Sequence, residues 1–162
     1  MKTTAFKLTV LALAVTLSHA AIAGTATGDG ATATGNHATA TGDGATASGD
    51  WSVANGTNAQ ATNTNATATG NASEASGINS NAIGSAAKAT GDYSTATGEH
   101  STASGTLATA TGVNSLAEGG GATATGSEST ASGNKSTATG NYSRGPLGKR
   151  KISYAKDVFY TD

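Results

Sequence analysis

Threonine recurs at a fixed spacing along most of this chain and is the first residue type that could carry a binding function. Six segments read Thr-Ala-Thr, and alternation along a strand would place both threonines of each segment on the same side. Regular rows of hydroxyl groups could bind a polar partner or match the water lattice of ice. They could equally reflect the preference of threonine for exposed strand positions. The candidate threonines are Thr39, Thr41, Thr67, Thr69, Thr95, Thr97, Thr109, Thr111, Thr123, Thr125, Thr137 and Thr139.

Large side chains form a second candidate set, because they fall at multiples of 14 residues from one another. The set comprises His37, Trp51, Tyr93 and Leu107. Such a stripe could stack on a sugar or on an apolar side chain of a partner. The alternative is that these residues are ordinary turn residues without a ligand.

The residue types required for catalysis or metal binding are not arranged in any recognisable motif. The chain has no cysteine, and the expected positions of His37 and His100 lie on opposite corners, so a zinc site is not expected. Asp-Gly at 29–30 and 43–44 resembles calcium-binding turns, but those require a nine-residue period. The sequence contains neither a phosphate-binding Gly-rich motif nor a Ser, His and Asp set. We therefore predict a protein that is not an enzyme and has no cofactor or metal.

The elements that position these side chains follow from a seven-residue repeat between Thr25 and Ser143. Glycine occupies every seventh position except one, where Asn63 stands instead. Because asparagine tolerates positive φ better than other non-glycine residues, we interpret Asn63 as serving the same backbone conformation. The repeat glycines are Gly28, Gly35, Gly42, Gly49, Gly56, Gly70, Gly77, Gly84, Gly91, Gly98, Gly105, Gly112, Gly119, Gly126, Gly133 and Gly140.

Within each heptad, counted from the glycine as position zero, small and variable residues alternate. Position three is alanine or serine, position five is alanine, and positions four and six vary. This alternation predicts a strand of four or five residues followed by a tight turn. Two heptads would form one 14-residue coil with two thin walls, and eight coils would stack over roughly 38 Å. The sequence thus predicts an all-β parallel solenoid whose second face carries the threonine rows.

Composition and charge narrow the function. Only 4% of the residues are aromatic, so a disordered chain would be the alternative, but strict periodicity favours a solenoid. Residues 24–143 hold eight acidic and two basic side chains, a formal charge of −6, which makes nucleic acid an improbable partner. Residues 1–23 have the basic start, short apolar run and small-residue site of a signal peptide. We therefore predict export, cleavage before Gly24 and no membrane span in the mature chain.

The repeat ends at Ser143, and residues 144–162 have a different composition. This segment combines the basic run Lys149-Arg150-Lys151 with apolar residues such as Ile152 and Phe159. It could cap the end of the solenoid and cover an exposed sheet edge, or it could be a loose tail. The sequence leaves both alternatives open.

The repeat resembles the YadA-like head repeats, also called Hep_Hag repeats, of trimeric autotransporter adhesins. The best matching segments are Ser52-Val53-Ala54-Asn55-Gly56, Asn79-Ser80-Asn81-Ala82-Ile83-Gly84 and Asn114-Ser115-Leu116-Ala117-Glu118-Gly119. The resemblance covers about 120 residues and implies a left-handed parallel β-roll in residues 24–143. It also implies a homotrimer on a bacterial surface, or secreted, that binds host matrix, host cells or copies of itself.

The chain departs from the family pattern in two respects. The family places aliphatic residues at positions four and six, where they pack between the chains of the trimer, whereas threonine predominates here. The coiled-coil stalk and membrane anchor of the family do not follow Ser143 in this sequence. We therefore expect a head without its autotransporter, either truncated or secreted as such.

Overall fold

The computed structural model describes residues 24–145 and a strand at Ile152–Tyr154. The described residues form short strands joined by tight turns, and none of them is helical. The predicted signal peptide lies outside the described residues, as does most of the segment 144–162. The strands belong to two parallel sheets that alternate along the chain.

The first sheet has ten strands, nearly all of which begin at position four of a heptad. In spatial order these are β1 (Thr25–Thr27), β3 (Thr39–Thr41), β5 (Val53–Asn55), β7 (Thr67–Thr69), β9 (Asn81–Ile83), β11 (Thr95–Thr97), β13 (Thr109–Thr111), β15 (Thr123–Thr125), β17 (Thr137–Thr139) and β19 (Ile152–Tyr154).

The second sheet has nine strands, which lie between those of the first sheet in the chain. They are β2 (Thr32–Ala33), β4 (Thr46–Ala47), β6 (Gln60–Ala61), β8 (Glu74–Ala75), β10 (Lys88–Ala89), β12 (Thr102–Ala103), β14 (Leu116–Ala117), β16 (Thr130–Ala131) and β18 (Arg144–Gly145).

Each strand pairs with the strand two places along the chain, which makes the molecule a parallel β-solenoid. Thr95 lies beside Thr109 and Ala96 beside Ala110, an offset of 14 residues that recurs from coil to coil. The structure has about nine such coils. The predicted all-β solenoid with 14-residue coils made of two heptads is therefore confirmed.

The strands are shorter than the four or five residues predicted, with three residues in the first sheet and two in the second. The hydrogen bonds explain the shorter length in the second sheet. The carbonyl oxygen of Ala47 accepts from the N–H groups of both Thr34 (3.0 Å) and Gly35 (3.4 Å). Because one acceptor serves two consecutive donors, the chain turns away from the sheet one residue earlier.

The core is a single layer of alanine and serine between the two sheets, as the small residues at positions three and five predicted. Ala54, Ala82, Ala110 and Ala138 are completely buried, and the largest fully buried side chains are serines such as Ser80. A buried methyl group contributes only about 0.8 kcal/mol. The coil-to-coil backbone hydrogen bonds therefore carry a larger share of the cohesion than in an ordinary globular core.

The repeat glycines serve two different purposes at the two corners, which corrects the interpretation of Asn63. Gly56 and its equivalents have positive φ, but no positive φ occurs at Asn63 or at Gly49 on the other corner. There, a Cβ on Gly49 would lie 2.0 Å from the Asn63 carbonyl oxygen, so glycine is required by close packing of coils. The Asn63 amide instead donates to the carbonyl oxygen of Ser76 at 3.2 Å.

Both sheets continue beyond Ser143, where the glycine period ends. Arg144–Gly145 pairs with Thr130–Ala131 at the usual 14-residue offset. Ile152–Tyr154 pairs with Thr137–Thr139, and the offset from Thr137 to Ile152 is 15 residues. The segment after Ser143 thus adds one strand to each sheet.

Candidate binding surface

The predicted threonines lie together on the outer face of the ten-stranded sheet. Parallel pairing places them in two columns, one at position four of the heptad and one at position six. Threonines of the first column are half-buried, whereas most of the second column is exposed. We call this face the threonine surface; it comprises Thr39, Thr41, Thr67, Thr69, Thr95, Thr97, Thr109, Thr111, Thr123, Thr125, Thr137 and Thr139.

The threonine columns are unbroken over only part of the solenoid. They run without interruption through the four strands β11, β13, β15 and β17. Nearer the N-terminus, the strands Val53–Asn55 and Asn81–Ile83 interrupt them. Hydroxyl groups should repeat at about 4.8 Å along each column, and the two columns should lie about 6.6 Å apart.

The second predicted set lies at the corner that precedes the threonine surface, and we call it the aromatic edge (His37, Trp51, Tyr93 and Leu107). His37 and Trp51 lie on consecutive coils, and their rings stack with centroids 3.9 Å apart and an interplanar angle of 11°. Tyr93 and Leu107 also lie on consecutive coils, and they are 58% and 63% exposed. Asn65 and Asn79 separate the two pairs, so the edge consists of two patches.

The backbone at the aromatic edge is left-handed. Trp51 has φ of 60°, Tyr93 58° and Leu107 59°, and position two has positive φ in every heptad from Gly30 to Tyr142. This conformation costs a non-glycine L-residue about 1–2 kcal/mol. The large side chains of the edge are therefore held at a backbone position where glycine or asparagine would fit better.

Carboxylates and amides at position one of the turns link neighbouring coils. Asp50 Oδ1 accepts from the backbone N–H of Asn36 at 2.9 Å, and Asp92 Oδ1 accepts in the same way from Ile78. Asp43 makes the equivalent bond to the N–H of Asp29 at 3.0 Å. The Asp-Gly turns considered for calcium thus have a structural role in connecting coils.

Ionisable side chains do not converge on one site. Among the residues that the structure describes, no three His, Asp or Glu side chains are placed to hold a metal ion. Lys88 and Glu74 pair at 3.6 Å on the nine-stranded sheet, opposite the threonine surface. At the corner preceding that sheet, a hydrogen bond and the charge of Glu128 raise the pKa of Tyr142.

The sequence interpretation missed part of the apolar character of this side of the molecule. Val53 and Ile83 project from the threonine surface, and Ile78 lies at position one of the turn beside it. The stripe had been sought at position two only, whereas position one of the same turn also reaches solvent. Six of the eight large exposed apolar residues of the described chain lie on the ten-stranded sheet or its aromatic edge: Trp51, Val53, Ile78, Ile83, Tyr93 and Leu107.

Comparisons with known proteins address the family directly. The described part of the chain contains no helix able to cross a membrane. A search of curated proteins found no match. The sequence profile of the YadA head domain repeat matches residues 26–50, 47–73, 75–98, 96–122 and 117–143, which together span nearly the whole solenoid. The chain therefore belongs to the YadA head domain family.

Proposed function

We propose that this protein is a non-enzymatic adhesin head, exported to the bacterial surface or secreted, that binds host matrix or host cells through the threonine surface and the aromatic edge. Its family is one of trimeric, surface-exposed adhesins. The observation that supports this location best is the concentration of exposed apolar side chains on one sheet and its edge. Such concentrations mark interaction sites more often than scattered apolar residues do.

Self-association as a homotrimer is part of the proposal. The core consists of alanine and serine, so a single solenoid buries little apolar surface. Val53 and Ile83 are exposed on a sheet that has no cover within the described chain. Contact between copies would bury these side chains and add the apolar contacts that a single thin solenoid lacks.

An adhesion assay with matched charge variants tests the proposed surface. The double substitution Thr109→Lys and Thr123→Lys places two charges on the threonine surface, and Thr102→Lys with Thr130→Lys places two on the opposite sheet. We expect the first variant to reduce binding of the purified protein to cultured epithelial cells and matrix-coated wells about tenfold, because charged groups would be desolvated there. The second should bind like the unsubstituted protein. Equal binding by both variants would refute the assignment of the surface.

Ice binding is a second candidate, favoured by the uninterrupted threonine columns of β11 to β17. Four consecutive coils present hydroxyl and methyl groups at regular intervals on one sheet. Thermal hysteresis and shaping of ice crystals by the purified chain would support this function. Loss of both effects in Thr109→Lys with Thr123→Lys, but not in Thr102→Lys with Thr130→Lys, would assign them to the threonine surface. Unaltered ice growth would eliminate this candidate.

A further inference from the structure

The stacked pair at the aromatic edge differs from every other turn in the described chain. His37 and Trp51 are the only two rings among the described residues that stack, and they do so almost in parallel. His37 covers one face of the indole. Trp51 is nevertheless 58% exposed, so its remaining face and rim are accessible to solvent.

The next coil leaves the free face of Trp51 accessible. The equivalent position there is Asn65, whose shorter side chain is itself exposed. The backbone fixes this geometry, because the N–H of Trp51 donates to the carbonyl oxygen of Asn36 at 2.7 Å and the N–H of Asn65 donates to that of Asp50 at 2.8 Å. The indole is thus a preorganised platform supported from behind by His37.

Polar groups surround this platform. Asp50, the residue before Trp51, accepts hydrogen bonds through Oδ1 from the backbone N–H and the side-chain amide of Asn36. Its Oδ2 atom has no partner within the described chain and can accept from a ligand. Thr64 and Asn65 on the next coil are exposed and offer a hydroxyl and an amide. An apolar ring face bordered by a carboxylate, an amide and a hydroxyl suits a ligand that has both C–H and O–H groups on one small ring.

The charge of the solenoid limits the ligand further. Residues 24–143 carry a formal charge of −6, and Asp50 adds its share directly beside Trp51. Sulfated or carboxylated sugars would be repelled, whereas a neutral sugar would not.

We infer that the His37–Trp51 pair is a binding site for neutral saccharides, whose C–H face stacks on the free face of Trp51 while Asp50 accepts from ring hydroxyl groups. Pyranosides with an uninterrupted C–H face, such as β-linked glucose, galactose and N-acetylglucosamine, fit this arrangement best. The inference deepens the proposed adhesive function by assigning a ligand class to one part of the surface. It rests on that function only for its biological purpose.

Trp51 is the only tryptophan of the chain, so its fluorescence reports on this site alone. The experiment titrates the purified full chain with lactose, cellotriose, chitotriose and, for comparison, a heparin-derived oligosaccharide. We expect a saturable change of tryptophan emission with at least one neutral saccharide and a much weaker response to the heparin fragment. No saturable change with any neutral saccharide, or stronger binding of the heparin fragment, would overturn the inference.

Variants examined by calorimetry separate stacking from nonspecific effects. Trp51→Ala should weaken saccharide binding about tenfold or more. It should still fold, because Ala72 and Ala86 occupy the equivalent position with φ of 52° and 53°. Tyr142→Ala, an exposed aromatic residue at the opposite corner, is the matched control and should bind normally. His37→Ala should weaken binding severalfold, with His100→Ala as its control. Unchanged binding in Trp51→Ala would contradict the assignment.

The cell adhesion assay distinguishes failure of this inference from failure of the adhesive function. A chain that adheres to cells but binds no saccharide would overturn only the saccharide site. A chain that binds saccharides in solution but does not adhere would overturn only the adhesive function.

Discussion

At the scale of single residues, position two of the heptad carries the unexpected feature of this solenoid. The sequence analysis assigned positive φ to the repeat glycines, whereas the structure has positive φ at position two of every heptad and at the glycines of one corner only. The residue type did not reveal this, because position two holds alanine, leucine, tyrosine and lysine as well as asparagine and glycine. Hydrogen bonds between coils impose the conformation on whichever residue occupies it.

The first prediction concerns the strain at Leu107. Leu107→Asn should stabilise the protein by about 0.5–1 kcal/mol, because asparagine tolerates the left-handed region better and Leu107 loses little burial. Asn65 and Asn79 already occupy the equivalent position in other coils. Urea unfolding monitored by circular dichroism measures the change. Leu107→Val is the control, since a β-branched residue at this φ should lower stability, and a stability loss in Leu107→Asn would contradict the account.

At the scale of the elements, the coils are connected by backbone ladders and by the position-one side chains. The second prediction is that Asp92→Ala lowers the free energy of unfolding by about 0.5–1.5 kcal/mol, because the N–H of Ile78 loses its acceptor at 2.9 Å. Asp92→Asn should retain most of the stability. Asn134 already makes this bond to the N–H of Gly120 at 3.0 Å. Equal destabilisation by both substitutions would show that the hydrogen bond is not responsible.

The third prediction concerns the separation of the two sheets. Ala110 is completely buried between its neighbours Ala96 and Ala124 in the first sheet. Ala110→Val should destabilise the chain by about 1–3 kcal/mol, because the added methyl groups must push the walls apart. Thr109→Val, which adds a similar side chain on the outer face of the same strand, should change stability by less than about 0.5 kcal/mol. Thermal unfolding of the two variants side by side measures the difference.

The sequence predicted the parts of this architecture that depend on strict repetition. Alanine at position five and alanine or serine at position three indicated the inward faces, and the heptad pairs assigned the threonines to one sheet correctly. Features that depend on variable residues could not be predicted. The 14-residue spacing placed His37 and Trp51 at one corner, but only the coordinates show that their rings stack. The bond from Asp50 to Asn36 likewise requires knowledge of the turn geometry.

At the scale of the whole molecule, the fourth prediction is that the mature chain begins at Gly24. The basic and apolar residues before it match a signal peptide, and residues 24 onwards enter the solenoid. Mass spectrometry of the protein recovered from the periplasm, the cell surface or the medium should give a mass that begins at Gly24. Recovery of the uncleaved chain in the cytoplasm would contradict the predicted export.

The strand at Ile152–Tyr154 has a role at this scale as well. It pairs with Thr137–Thr139 and thereby covers one edge of the ten-stranded sheet. Uncovered edges of parallel sheets promote aggregation. We propose that the segment after Ser143 acts as a cap, the first of the two alternatives that the sequence left open.

Self-association is the claim on which the adhesin account depends most, because the thin alanine core and the exposed apolar residues of one sheet both require a covering partner. Size-exclusion chromatography coupled to light scattering on the mature chain measures it directly. The account predicts a folded species with three times the mass of one chain and the circular dichroism spectrum of a β-protein. A strictly monomeric chain at all concentrations would contradict the trimer, and a monomeric and unfolded chain would contradict the fold as well.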